Sequence, residues 1–259
     1  MSLDSSHWYL PDGTPFYSVR ARDGTERSVT LRDARKVMAV PSVTTILRII
    51  AKPQLERWKR AQTALAALTL PRIDGECSEA LLRRIEADAE QQVKAAAEEG
   101  TRIHDAIEQA FREGEYHAAY GVHVNAARSA IRKSFPAVRD WRPEESFAHE
   151  LGFGGRVDLH SPSTGIIIDY KGKDGDFSDG KKLAYDQHEQ LAGYSLGLNL
   201  PLAQCANLFV SRTHPGAVSM HIWTIEEMEW ARGAFLRALH LWKWRNRYFP
   251  ILQPRSRCA

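Results

Sequence analysis

Gly154-Gly155-Arg156-Val157-Asp158-Leu159-His160 and Ile166-Ile167-Ile168-Asp169-Tyr170-Lys171 are two β-type runs that each bring one carboxylate near their end. Residues i and i+2 of a strand point to one face, so Asp169 and Lys171 share a side of a sheet. A carboxylate in an apolar run is costly to bury without a partner. Two of them on neighbouring strands repel each other unless a divalent cation lies between them. Plainer readings exist for each residue taken alone. Backbone donors or Arg156 would satisfy Asp158, and Asp169 with Lys171 would make an ordinary ion pair, which contributes little when exposed. The two runs together, followed directly by the glycine-rich segment 172–182, favour a catalytic site.

Two helical stretches carry further candidates. From Leu183 to Leu198 a single stripe at 100° per residue holds Leu183, Leu191, Tyr194 and Leu198, and Gln187 and Gln190 fall on it too. Amides in a core-facing band need hydrogen-bond partners. A carboxylate–metal cluster or a phosphate strand at the sheet edge would supply them, as would the backbone of a neighbouring strand. Upstream, Ile103, Ile107, Ala110 and Phe111 form an apolar stripe, with His104 and Glu108 one helical turn apart at its margin. A neutral imidazole can complete an oxygen-rich metal shell. Glu150, just ahead of the glycine pair, is one more carboxylate near these runs; the sequence leaves the roles of Glu108, Glu150 and Gln187 open.

These residues must be held by the elements around them. Turn signals at Pro11-Asp12-Gly13 and Arg22-Asp23-Gly24 divide the first forty residues into a β-hairpin or meander. Ser42 caps a short helix from Val43 to Ile50; Pro53 opens a helix that ends near Pro71. A long helix is expected from Ser78 toward Gly114, with a kink or close packing at Gly100, and another over Ala118 to Ser134. Three strands follow (Ser146 to Leu151, Phe153 to His160, Gly165 to Lys171), then the helix to Leu198 and strands Ala206 to Ser211 and Val218 to Trp223. Thr224 and Glu227 have capping-box spacing for a last helix reaching toward Tyr248. The order predicts an α/β domain with a mixed sheet over residues 76–259 and an N-terminal hairpin-plus-helix extension over 1–75.

Composition sets the outer bounds. With 43% hydrophobic and 26% charged residues, the 259-residue chain reads as a soluble globular protein. A net charge of +3 is compatible with a nucleic-acid partner without requiring one. No apolar run reaches the roughly 18 residues of a membrane span, and Met1 to Leu10 lacks the pattern of a secretory signal. Cys77, Cys205 and Cys258 are few and far apart, which argues for a reducing, cytoplasmic compartment and against a cysteine metal cage. The helix after Thr224 carries Arg232, Arg237, Trp242, Lys243, Trp244, Arg245, Arg247 and Tyr248: either a path for single-stranded DNA or core aromatics beside a solvated basic face.

Gly-x-x-x-His-x-x-x-Glu at 100–108, Gly-Arg-Val-Asp at 155–158, Asp-Tyr-Lys at 169–171 and Gln-Leu-x-x-Tyr at 190–194 together resemble the PD-(D/E)xK nuclease superfamily. The resemblance lies with its RecB-like branch, including phage exonucleases and the mitochondrial genome maintenance exonuclease, and Val40 to Leu47 is similar to the N-terminal part of such members. It implies a restriction-endonuclease-like core and a Mg²⁺ or Mn²⁺ ion held by Asp158, Asp169, His104 and the backbone carbonyl of Tyr170. It further implies Lys171 as the catalytic lysine, with Gln190 and Tyr194 in the motif after the core strands. The implied activity is exonucleolytic cleavage of DNA, single-stranded or at free ends, in phage-type recombination or DNA processing, with a recombination or single-strand-binding protein as partner. An endonuclease on the same core and a DNA-binding module that does not cut are the alternatives. Val157 stands where the superfamily's proline would be, and three cysteines cannot supply the four that an iron–sulfur branch needs. No Gly-x-x-x-x-Gly-Lys-Ser/Thr pattern is present, so a helicase motor would be another chain.

Overall fold

A computed structural model describes residues 7–200 and 204–252; Cys258 lies outside them. The chain folds as a mixed α/β structure around a five-stranded sheet. In chain order the elements are β1 (Trp8–Tyr9), β2 (Ser18–Arg20), β3 (Glu26–Ser28), α1 (Leu31–Lys36), β4 (Val40–Pro41), α2 (Val43–Leu47), α3 (Pro53–Thr69) and α4 (Ser78–Arg112). After a 3₁₀ turn at Ala118–Tyr120 come α5 (Gly121–Ser134), β5 (Arg142–His149), β6 (Phe153–Ser161), β7 (Ile166–Lys173), α6 (His188–Gly197), β8 (Cys205–Ser211), β9 (Val218–Ile222) and α7 (Ile225–Asn246). The large sheet runs β5-β6-β7-β8-β9, antiparallel throughout except for the parallel pair β7–β8, which α6 connects.

Apolar residues on the two sheet faces form two cores. Ile167, Cys205 and Phe209 pack beneath α6 and α7, with Leu191 and Phe235 from those helices. Ile168, Leu208 and Val210 pack beneath α4 and α5, with Ile107 and Ile131. The first core also takes in Trp8, Val29, Val43 and Ile46, and Ser42 bridges Gly154 in parallel, so the N-terminal residues pack against the sheet that carries the candidate site. No helix among the described residues is long and apolar enough to cross a membrane.

Local chemistry sets the helix ends. Ser42 Oγ accepts from the Thr45 amide at 3.0 Å, and Thr224 with Glu227 forms the expected capping box. A second capping box, Thr30 with Asp33, starts α1 where the sequence suggested only strands and turns. The remaining differences are of extent. β5 begins at Arg142, not Ser146. α6 begins at His188, not Leu183, because the Gln187 side chain accepts the Tyr185 amide at 2.7 Å and holds the preceding residues in a turn. α4 runs unbroken through Gly100, where a Cβ would meet nothing within 4 Å.

Glycines govern how closely α6 approaches the sheet. A Cβ on Gly155 of β6 would lie 3.0 Å from the Tyr194 ring, and one on Gly197 of α6 would overlap the Phe147 ring on β5. Forcing an extra carbon into such a contact destabilises by about 1–3 kcal/mol. Gly197→Ala should therefore lower the free energy of unfolding by an amount in that range in denaturant titrations followed by circular dichroism.

Candidate active site

The ladder between β6 and β7 pairs only Leu159 with Ile168, His160 with Ile167 and Ser161 with Ile166. It stops where Asp158 and Asp169 would come opposite each other. There the Asp158 side chain takes over from the backbone: its Oδ2 accepts the Tyr170 amide at 2.7 Å. An extended residue turns its N–H and C=O to the same side, so the Tyr170 carbonyl also faces this gap. β6 changes its facing at the same point. Val157 belongs to the core under α6 and α7 and Leu159 to the core under α4 and α5, although residues two apart in a regular strand share a face. In register with Asp158 stands Glu144 of β5, whose backbone is left-handed at φ 57°. The kink swings Asp158 out of the regular pleat and toward β7.

Asp169 is 1% exposed and carries a full set of donors. Lys171 Nζ lies 2.8 Å from its Oδ1 and 2.7 Å from its Oδ2. Gln190 Nε2 of α6 gives Oδ1 a bond of 2.8 Å, and Asn207 Nδ2 of β8 gives Oδ2 one of 2.7 Å. The parallel register sets Asn207 directly beside Asp169. Trp223 Nε1 in turn donates to Asn207 Oδ1 at 2.7 Å, and the Trp223 ring stacks on His188 with centroids 4.5 Å apart. Gln190 also lies 2.7 Å from the Tyr194 hydroxyl. From the opposite face α4 brings His104, whose Nε2 is 3.1 Å from Asp158 Oδ2.

The electrostatics follow from burial set against close countercharge. Burial pushes the Asp169 carboxyl up to about 6, with Lys171 opposing and Asp158 adding to the rise. Asp158 also resists burial, but His104 and Lys171 hold it below the ordinary carboxylate range. Burial works against charge on His104 as well; Asp158, Glu144 and Asp169 outweigh it and raise the imidazole to about 9. Lys171 is likewise kept cationic against burial by Asp169 and Asp158. Beside this cluster, Glu144 pairs with Arg156 and Glu108 with Arg112. Burial raises Glu144 to about 7, Arg156 opposing. His104, Glu108 and Glu144 each offer a donor atom within 4.8 Å of the others, and the two guanidinium groups already balance these carboxylates.

Carboxylate oxygens, a carbonyl and an imidazole are donor types that Mg²⁺ or Mn²⁺ accepts. Asp158 and Asp169 bring buried carboxylates to the two sides of the gap, with His104 on Asp158 and the Tyr170 carbonyl turned toward it. The three donor atoms that lie within 4.8 Å of one another among the described residues are, however, those of His104, Glu108 and Glu144.

Of the sequence candidates, His104, Asp158, Asp169, Tyr170, Lys171, Gln190 and Tyr194 come together. Gln187 is spent on the Tyr185 amide, Glu150 is exposed in the β5–β6 turn, and Arg156 pairs with Glu144 instead of Asp158. Trp242 and Tyr248 are 6% and 7% exposed and pack in the core, so they line no DNA path; Trp244 stays exposed with its Nε1 on His240. Asn207, Trp223 and Glu144 were not singled out from the sequence. An amide inside the apolar run Ala206-Asn207-Leu208-Phe209 was a usable signal for the first, since a buried amide needs partners.

No family model and no curated protein matches this sequence. Among solved structures it is similar to the protein SSO0001, at 12% identity and a TM-score of 0.32, over 71% of this chain and 86% of that one. It is also similar to a phage-related exonuclease from Haemophilus somnus 129PT, at 17% identity and a TM-score of 0.28, over 55% of this chain and 81% of that one. Likenesses this slight decide nothing about activity, and the site stands on its own geometry.

Asn207 is the pivot of the inner hydrogen bonds. Its replacement by Ala removes one of two donors from Asp169 Oδ2, where Lys171 Nζ remains, and leaves Trp223 Nε1 without its partner, at about 1–3 kcal/mol for the orphaned indole. The loss should appear in chemical unfolding, and combining it with Trp223→Phe should cost less than the sum of the two single changes, because both remove one shared bond.

Proposed function

We propose that this chain is a Mg²⁺- or Mn²⁺-dependent deoxyribonuclease of the PD-(D/E)xK type, of the RecB-like branch, acting as an exonuclease on DNA ends. One observation carries the reading: where β6 and β7 part, Asp158 accepts the Tyr170 amide while Asp169 on the adjoining strand is held by Lys171 and Gln190, the two buried carboxylates near enough to feel each other's charge. Asp158, Asp169, His104 and the Tyr170 carbonyl would hold the cation. Buried like charges on adjacent strands, held with an ammonium group, suit the hydrolysis of a phosphodiester better than a purely structural role. The exonuclease preference rests on the sequence resemblance.

When bound, the cation supplies Lewis acidity toward a phosphoryl oxygen and makes water available as a nucleophile at neutral pH. The protein's own groups do the positioning. Lys171 is flanked by both Asp169 oxygens and stays protonated, so its part is to stabilise negative charge growing on the phosphate, not to accept a proton. Gln190 fixes the Asp169 carboxylate and is itself fixed by the Tyr194 hydroxyl. Asn207 braces the other Asp169 oxygen from inside the sheet. His104 holds Asp158 from the α4 side.

Lys171→Ala should reduce cleavage of labelled DNA by at least about 10²-fold while leaving the circular dichroism spectrum and most DNA binding unchanged; full activity in that variant would remove the assignment. Chelation with EDTA should stop cleavage, and added Mg²⁺ or Mn²⁺ should restore it. Circular single-stranded DNA separates the two cleavage modes: an exonuclease leaves it intact, and linearisation would mean an endonuclease.

A further inference from the structure

Beside the reaction centre lies a cavity of about 440 Å³, inside the range of roughly 300–1,000 Å³ for sites that hold small organic groups. Three walls of different chemistry enclose it. The ends of β7 and β8 contribute Lys171, Lys173 and Arg212; the start of α6 contributes Asp186, Glu189 and Gln190; α3 contributes Trp58. Lys171 and Gln190 are shared with the Asp169 cluster, so whatever fills the cavity adjoins the reacting phosphate.

The charges in these walls are unequally spent. Arg212 makes two bonds of 2.9 Å to Asp174, and its guanidinium lies 6.0 Å from the centre of the Trp58 ring. It therefore braces the indole more than it offers free charge. Lys173 is half-buried and forms no ion pair among the described residues; burial, Arg212 and Lys171 work against its charge, and Asp186 and Asp174 favour it. Asp186 and Glu189 are half-buried acceptors, and burial together with Asp186 raises Glu189. Trp58 is half-buried yet belongs to none of the apolar cores among the described residues. An indole on a wall, an unpaired ammonium and a pair of carboxylate acceptors match the face of a base, a phosphate and an exocyclic amino group of a nucleotide.

We infer that this cavity is a subsite for one unpaired nucleotide of the substrate strand, with the base on Trp58, its phosphate on Lys173 and an exocyclic amino group turned to Asp186 and Glu189. The inference rests on the nuclease reading and adds to it that the strand is single there. In a duplex both faces of a base are covered by its stacked neighbours, so Trp58 could not stack on it. Stacking on an aromatic side chain is available to every base, whereas carboxylates accept from cytosine N4 and meet only a carbonyl oxygen at the same place in thymine. The subsite therefore favours cytosine over thymine.

Fluorescence anisotropy with short labelled oligonucleotides in EDTA tests this without cleavage. The wild-type chain should bind oligodeoxycytidylate more tightly than oligodeoxythymidylate, and a blunt duplex least. Trp58→Ala should weaken single-strand binding roughly fivefold or more, the effect of losing one base stack, while Trp58→Phe keeps most of the affinity. Asp186→Asn combined with Glu189→Gln should erase the margin between the two pyrimidines. Unchanged single-strand affinity in a folded Trp58→Ala variant, equal affinity for the two pyrimidines, or duplex bound as tightly as single strand would each overturn the subsite. A wild-type chain that binds as expected yet cuts nothing with Mg²⁺ or Mn²⁺ would instead overturn the nuclease reading and leave the subsite standing.

Discussion

Two carboxylates sealed into adjoining strands of one sheet are the constraint around which this molecule is arranged. Ionised groups so placed are tolerable only with countercharge and hydrogen bonds at close range. The fold supplies these from three directions: an imidazole from α4 against Asp158, an ammonium from the same strand against Asp169, and amides from α6 and β8 against the two Asp169 oxygens. Each donor comes from a different element, so the strand order, the parallel β7–β8 register and the close seating of α6 all converge on the same few atoms.

The opening between β6 and β7 makes this convergence possible. Continued ladder bonds past Leu159 and Ile168 would leave no room for a side chain to accept the Tyr170 amide. The left-handed Glu144 on β5 and the change of facing between Val157 and Leu159 accompany the break. A local backbone irregularity beside a site is a frequent way to re-aim one side chain without disturbing the rest of a sheet.

Much of this was legible in the sequence, for identifiable reasons. Asp158, Asp169 and Lys171 announced themselves because charge in an apolar β-run conflicts with burial, and conflict is visible in one dimension. Gln190 and Tyr194 were legible through helical spacing. Gln187 met the same spacing test and failed in three dimensions, because it precedes the first turn of α6 and caps a neighbouring amide. Asn207 needed the pairing partner of its strand to be known, and only the crossover through α6 sets it beside Asp169. Glu144 left no trace, since nothing in Pro143-Glu144-Glu145 signals a left-handed residue. The aromatic end of α7 and the residues just past it held both readings at once: Trp242 and Tyr248 went to the core and Trp244 to the surface.

The 35-residue α4 has two unlike halves. Its C-terminal part is wedged under the sheet through Ile103, Ala106, Ile107 and Ala110, whereas the stretch before Gly100 buries only Ile85 and Ala89, and α3 packs on it. The outer wall that carries Trp58 is thus borne on an overhang, and the acidic pair and its lysine sit on the anchored sheet. Residue changes along that overhang can reshape the cavity wall while the hydrogen-bonded carboxylates stay as they are, so the two regions are free to drift separately over evolutionary time.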